Sequence, residues 1–283
     1  MSRRSIEEIV ARILMVTATA VVLGCLLWIL ITVLVKGLSS LDLAMITQTP
    51  QGGYYLGKEG GILNAIVGSL YLTGGATVLA LLFSLPVAIY LNLYIRRGSR
   101  LASAVRFSLD VLWGVPSIVY GAFGFTLLLA FGLRASLLGG IIAVALLIFP
   151  IMCRAMDESI RMMPVGLFTA SYSLGATRLE TAFKVVIRQC LPGILTAILI
   201  AFGRGIGDAA SVIFTAGFSD SIPVSLFRPA ATLPLAVFFQ LGTPFPEVQD
   251  RAYASALILT VIILAISLIA RRLTRKFTRN IVK

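Results

Sequence analysis

An arginine and an aspartate stand four residues apart in Gly203-Arg-Gly-Ile-Gly-Asp208, inside an apolar run from Leu191 to Phe218. A lone charge at bilayer depth costs several kcal/mol, so such residues face a bundle interior and mark a path for an ion or a substrate. On a helix, positions four apart share a face, so Arg204 and Asp208 can touch. Two readings stand side by side. In one, the pair neutralises itself and locks helix packing, as buried ion pairs do. In the other, Arg204 offers an anion a planar fork of donors suited to phosphate geometry, while Asp208 holds the guanidinium until the anion arrives. Glycines at 203, 205 and 207 strip bulk from the helix around the charges, which lets a neighbouring helix or a hydrated ion come close.

Other residues offer less chemistry. Asp110 precedes Trp113-Gly-Val-Pro-Ser117, and reads either as a solvated acid near a helix end or as part of a path. Pro116 and Ser117 mark a bend that could line a cavity, where an interrupted helix is tolerated. Histidine is absent, which removes the commonest metal ligand and general base. Cys25, Cys153 and Cys190 lack CxxC spacing and read as small hydrophobes, so no metal site and no catalytic residue is expected. No Gly-x-x-x-x-Gly-Lys-Ser/Thr phosphate loop occurs, so energy for any pumping must come from a partner or an ion gradient.

The elements that must position these residues follow from hydropathy. With 58% hydrophobic and 13% charged residues among 283, and a mean hydropathy of +0.98, the chain has too little polar surface for a soluble globule. The net charge of +12 sits in short clusters between apolar runs, which is the positive-inside pattern and not a nucleic-acid surface. Six runs emerge: Ile13–Val35, Ile62–Ile95, Phe107–Leu133, a fourth that follows a very short outer turn headed by Arg134 and reaches Cys153, Leu191–Phe218 and Ala252–Ile269. The first is too long for a signal peptide and reads as an uncleaved helix. The second exceeds one untilted span, with Gly74-Gly75 and Pro86 as places for a bend. Basic residues crowd the N-terminus, the loops after the second and fourth runs, and the C-terminus. The outer segments hold only Lys36, Lys58, Arg134, Arg228 and Arg251. The reading is an all-α membrane protein with six transmembrane helices and both termini cytoplasmic. Residues 1–61 form the first helix and an outer loop; residues 62–283 form a five-helix core with an inner amphipathic loop over about 154–190.

That inner loop runs Thr169-Ala-Ser-Tyr-Ser-Leu-Gly175-Ala-Thr-Arg and continues to Lys184 and to Leu191-Pro192-Gly. Physically it is a short helix, a glycine-permitted turn, and a second helix ending where Leu191-Pro192 re-enters the membrane. The small-residue triplet, the glycine and the leucine-proline resemble the EAA loop of binding-protein-dependent ABC importer permeases. Gly60-Gly-Ile-Leu-Asn-Ala-Ile-Val-Gly-Ser69, Leu112-Trp-Gly-Val-Pro-Ser-Ile-Val-Tyr-Gly121 and Gly203-Arg-Gly-Ile-Gly-Asp208 with Thr215-Ala-Gly217 narrow the resemblance to phosphate importer permeases of the PstA type. The chain departs from that family's pattern at Thr169, where glutamate is common, and at Asp208 to Ser211, where glutamate and then Thr-Ala-Pro are usual.

The resemblance implies a type I ABC importer permease in a bacterial cytoplasmic (inner) membrane, working beside a second homologous permease chain, two ATPase subunits and an extracytoplasmic phosphate-binding protein. ATP and magnesium then belong to the ATPase subunits, with no cofactor in this chain. Thr169, Ala170, Ser171, Gly175, Leu191 and Pro192 become the ATPase-coupling loop, and the outer segments Gly37–Gly61 and Ser219–Asp250 the docking surface for the binding protein. A gradient-driven anion carrier or channel, or an importer of another oxyanion, is the alternative reading. The absence of inverted internal symmetry counts against a carrier.

Overall fold

The computed structural model describes residues 3–51, 59–96 and 98–278. A helix α1 (Arg3–Ser39) leads through a short α2 (Leu43–Thr47) and a two-stranded antiparallel ribbon, β1 (Pro50–Gln51) and β2 (Glu59–Gly60), to a long α3 (Leu63–Leu93). Next come α4 (Arg100–Gly114), α5 (Ser117–Ala130) and α6 (Leu137–Arg161). An elbow follows, made of α7 (Val165–Ser173), a single turn α8 (Arg178–Glu180) and a π-helical segment (Thr181–Val186), which runs directly into α9 (Ile187–Ile206). Finally α10 (Leu233–Leu241) and α11 (Pro246–Thr278) close the described chain.

Five of these helices are long and apolar enough to cross a membrane, and α4 with α5 makes a sixth span bent by 99°. The run Phe107–Leu133 is therefore broken and not straight. Val115-Pro116 breaks it, because proline fixes φ and pushes its predecessor out of the helical region; Val115 has φ −68° and ψ 130°. The Tyr120 hydroxyl donates to the Leu112 carbonyl at 2.8 Å and so braces the corner. By contrast α3 passes unbroken through Gly74, Gly75 and Pro86. Gly75 serves contact instead of bending, since a Cβ there would press on the Ile141 side chain of α6. At 31 residues α3 is about 46 Å long, so it tilts or projects beyond a hydrocarbon core of about 30 Å.

The core lies between α3, α6, the π segment and α9, where Leu72, Ile148, Met152, Met156 and Val186 are fully buried. A second cluster at the other end joins α2, α10 and α11 to the start of α3 through Met45, Leu233, Ala254 and Ile258. Small residues set the spacing: any side chain at Gly68 would collide with the Ala231 carbonyl. None of the membrane stretch of α1 is buried against the rest. Its contact is with α11, where Gly37 abuts Leu257 and the Lys36 ammonium sits 4.6 Å from the Tyr253 ring centre.

Candidate functional site

Helix α9 ends at Ile206, so the run Leu191–Phe218 is not one helix and Asp208 lies beyond its end. Gly205, in its last turn, packs against Thr73 of α3 and against Val144 and Ile148 of α6, well inside the bundle. From Asp208 the chain makes tight turns and rises until the Thr215 carbonyl receives the Ser136 amide at 2.9 Å, at the head of α6. Non-helical backbone at membrane depth is tolerated only where protein buries it or a hydrated path runs beside it.

Each charge of the pair has a local reason to be there. Arg204 stands in the last turn of α9, where the helix dipole favours a cation. Asp208 caps the next turn, its carboxylate accepting the Ser211 amide at 2.8 Å. Between them the closest nitrogen–oxygen distance is 3.8 Å, longer than a charge-assisted hydrogen bond. The expected pairing is thus loose and unequal: the Asp208 side chain is 4% exposed and the Arg204 side chain 49%. This corrects the expectation of two buried charges. The guanidinium leans on Asp208 with one edge and keeps the rest of its donors open.

A tighter charge cluster, missed in the sequence reading, lies at the opposite end of α6. Asp157 is fully buried and accepts four hydrogen bonds: two from Arg106 of α4 at 2.8 and 2.9 Å, one from Arg154 at 3.0 Å and one from Asn92 of α3 at 2.8 Å. Arg154 also donates to Asp110 at 2.6 Å. Asp110 is therefore an ion-paired residue and not a lone solvated acid. The signal available in the sequence was the Arg154-Ala-Met-Asp157 spacing, which places both charges on one face of α6. The cluster fastens α4, and with it the bent span, to the foot of α3 and α6.

Pro116 is exposed and Ser117 half-buried, both at the 99° corner. In the elbow, Thr169 and Ala170 face outward, whereas Ser171 is buried and its hydroxyl lies 2.8 Å from that of Thr181 in the π segment. Gly175 has φ +78°, and ends α7 with two bonds, from its own amide to the Tyr172 carbonyl and from the Ala176 amide to the Ser171 carbonyl. That is the Schellman arrangement, which needs a left-handed residue at this place. Thr177 and Glu180 form a reciprocal cap for the second arm. Leu191 and Pro192 do not end a helix; both lie inside α9, continuous with the π segment. Leu174, Leu179 and Phe183 leave the elbow with a broad exposed apolar face. Among the described residues no group of three acidic, cysteine or histidine side chains is placed to hold a metal.

A bent span, a helix ending within the bundle beside an open guanidinium, and a rigid elbow between the fourth and fifth spans define a multi-pass membrane permease. The chain belongs to the family of binding-protein-dependent transport system inner membrane components, whose profile matches residues 84–283. It is 35% identical over 246 residues to the phosphate transport system permease protein PstA of Yersinia pestis, covering 87% of this chain and 82% of that one. With the PstA 1 protein of Mycobacterium tuberculosis strain H37Rv it shares 33% identity over 281 residues, 98% of this chain and 91% of the relative. In fold it resembles a chain of the inward-facing MetNI methionine ABC transporter, with a TM-score of 0.62 at 20% identity, covering 76% of this chain and 95% of that one. A chain of a bacterial ABC transporter that imports alginate aligns at a TM-score of 0.57 and 18% identity, covering 92% and 95%.

Proposed function

We propose that this chain is a membrane-spanning permease subunit of an ATP-driven, binding-protein-dependent importer of inorganic phosphate in a bacterial cytoplasmic membrane. The names of its relatives support the cargo. The single structural observation that carries the reading is Arg204, half exposed at a helix end inside the bundle, with Asp208 buried behind it. Arg204 is the contact for the translocating anion: its planar fork suits phosphate oxygens and a loosely held guanidinium can exchange a carboxylate for them. Asp208 fixes the helix end from which Arg204 projects. Pro116 and Ser117 turn the bent span at the wall of the same path.

The subunit is non-catalytic. It pairs with a second homologous permease chain, receives phosphate from an extracytoplasmic binding protein docked on its outer segments, and rests on two ATPase subunits that hold ATP and magnesium. The elbow, with Thr169 and Ala170 outward and Gly175 at its turn, is the coupling element, and Leu191 and Pro192 carry its motion into α9. Both termini lie in the cytoplasm, residues 1–61 forming a peripheral first span and loop beside the core of residues 62–283.

Uptake of radiolabelled phosphate by proteoliposomes containing the whole complex and its binding protein tests this. Uptake is expected only with ATP at the ATPase side. Uptake driven by a proton gradient without ATP would replace the importer with a carrier, and preferential uptake of sulfate would replace the cargo.

A further inference from the structure

On the side turned away from the core, α9 and α11 part into a groove of about 650 Å3, within the range of about 300–1,000 Å3 typical of ligand sites. Leu199, Ile200 and Gly203 line one wall, and Ser267, Ala270 and Arg271 the other. Helical periodicity sets these positions of α9 opposite its buried face, which Cys190, Ile194, Ala197 and Ala201 carry. Gly203 keeps the groove open, for nothing lies within 4 Å of where its Cβ would stand. Arg271 is exposed and makes no ion pair among the described residues.

Depth gives the groove its meaning. The membrane-crossing part of α11 runs from Pro246 to Arg272, so Arg271 sits at its basic end, where phosphate headgroups begin. The apolar wall of Leu199 and Ile200 offers an acyl chain its surface. We infer that the groove holds one anionic glycerophospholipid of the inner leaflet, its phosphodiester on the Arg271 guanidinium and an acyl chain along Leu199, Ile200 and the bare backbone at Gly203. Charge complementarity selects this occupant. Basic pockets between helices on the cytoplasmic side draw anionic headgroups, whereas a zwitterionic lipid brings its own cation toward Arg271. A free phosphate ion would satisfy Arg271 and leave the apolar walls uncovered. The inference rests on the proposed orientation, with the end of α11 inside, and is independent of what the protein transports.

Native mass spectrometry of the whole detergent-solubilised complex, titrated with phosphatidylglycerol or phosphatidylcholine, reads the bound lipid directly. One phosphatidylglycerol is expected to be retained in preference to phosphatidylcholine. Arg271→Gln should lower that retention about tenfold, the loss of one hydrogen-bonded charge contact. Arg271→Lys should keep part of it, and Gly203→Leu should abolish it by filling the groove with the arginine intact. Arg272→Gln, a neighbour outside the groove, should leave it unchanged. The spectrum also reports subunit assembly, so a variant that fails to assemble is seen as such and the remaining variants decide. Equal retention of phosphatidylcholine, or an equal loss on Arg272→Gln, would overturn the inference. So would displacement of the lipid by millimolar inorganic phosphate, which would give the site to the cargo, or a cross-link from Ser267→Cys to another chain, which would show protein covering the groove. No arm measures transport, so failure here leaves the proposed function standing.

Discussion

The Arg204 side chain is 49% exposed and that of Asp208 4%, and that inequality separates their expected mutant behaviour. Arg204→Ala removes the anion's donor from an otherwise intact helix end and should abolish phosphate uptake without loss of assembly. Arg204→Lys keeps the charge and loses the fork, so a severe uptake defect is expected, and mild loss would reduce Arg204 to charge balance. Asp208→Asn retains an oxygen for the Ser211 amide and should fold; Asp208→Ala loses the cap at a cost of about 0.5–2 kcal/mol. If the double alanine variant assembles and imports phosphate at the normal rate, the pair is structural. Asp157 belongs to a harsher case. Its removal as Asp157→Ala strands Arg106 and leaves Arg154 with Asp110 alone, and should cost about 3–5 kcal/mol, read as a large fall in the thermal midpoint of the solubilised complex. A shift of a degree or less would mean water already screens the cluster.

At the scale of elements, periodicity and punctuation revealed much and misled in particular places. The corner at Val115-Pro116 was legible because proline acts locally. Pro86, Pro150 and Pro192 carry the same residue, yet all lie inside helices. Neighbouring helices held together by buried contacts override the local preference, and one sequence does not display those neighbours. The elbow was readable as helix, turn and helix, since Gly175 signals the turn directly, while the Thr177/Glu180 cap was a local signal that went unread. Its inward anchor, Ser171 on Thr181, was not, because two hydroxyls ten residues apart give no pattern. Gly175→Val forces a β-branched residue to φ +78° and should cost at least about 1–2 kcal/mol at the turn. Membrane insertion should survive while ATP-driven uptake fails. Gly175→Asn, which tolerates this region, should retain most activity, and a valine variant with normal coupled uptake would remove the elbow from the mechanism.

Over the whole molecule, the number of spans followed from hydropathy, which the bilayer enforces on every residue facing it, while the asymmetry of basic residues supports the proposed orientation. Charge contacts between spans stayed hidden because partners such as Asn92 and Asp157 are far apart in sequence. Labelling checks the orientation. With exposed Cys25 replaced, buried Cys153 and Cys190 should stay silent to an impermeant maleimide, while Ser173→Cys reacts only from the cytoplasmic side and Ser221→Cys only from outside. Reaction of position 173 from outside would invert the topology. The π segment has a consequence at this same scale. A π-turn holds about one residue more than an α-turn, and each residue of an α-helix advances the azimuth by about 100°. The buried positions Ala182 and Val186 accordingly share one side of the π segment before α9 resumes the ordinary phase. A single supernumerary residue thus sets the angular phase between the elbow and the distant guanidinium of Arg204. Deleting exposed Phe183 would discard no core contact of its own, yet would rotate the helix end that bears Arg204 by about a quarter turn against the elbow.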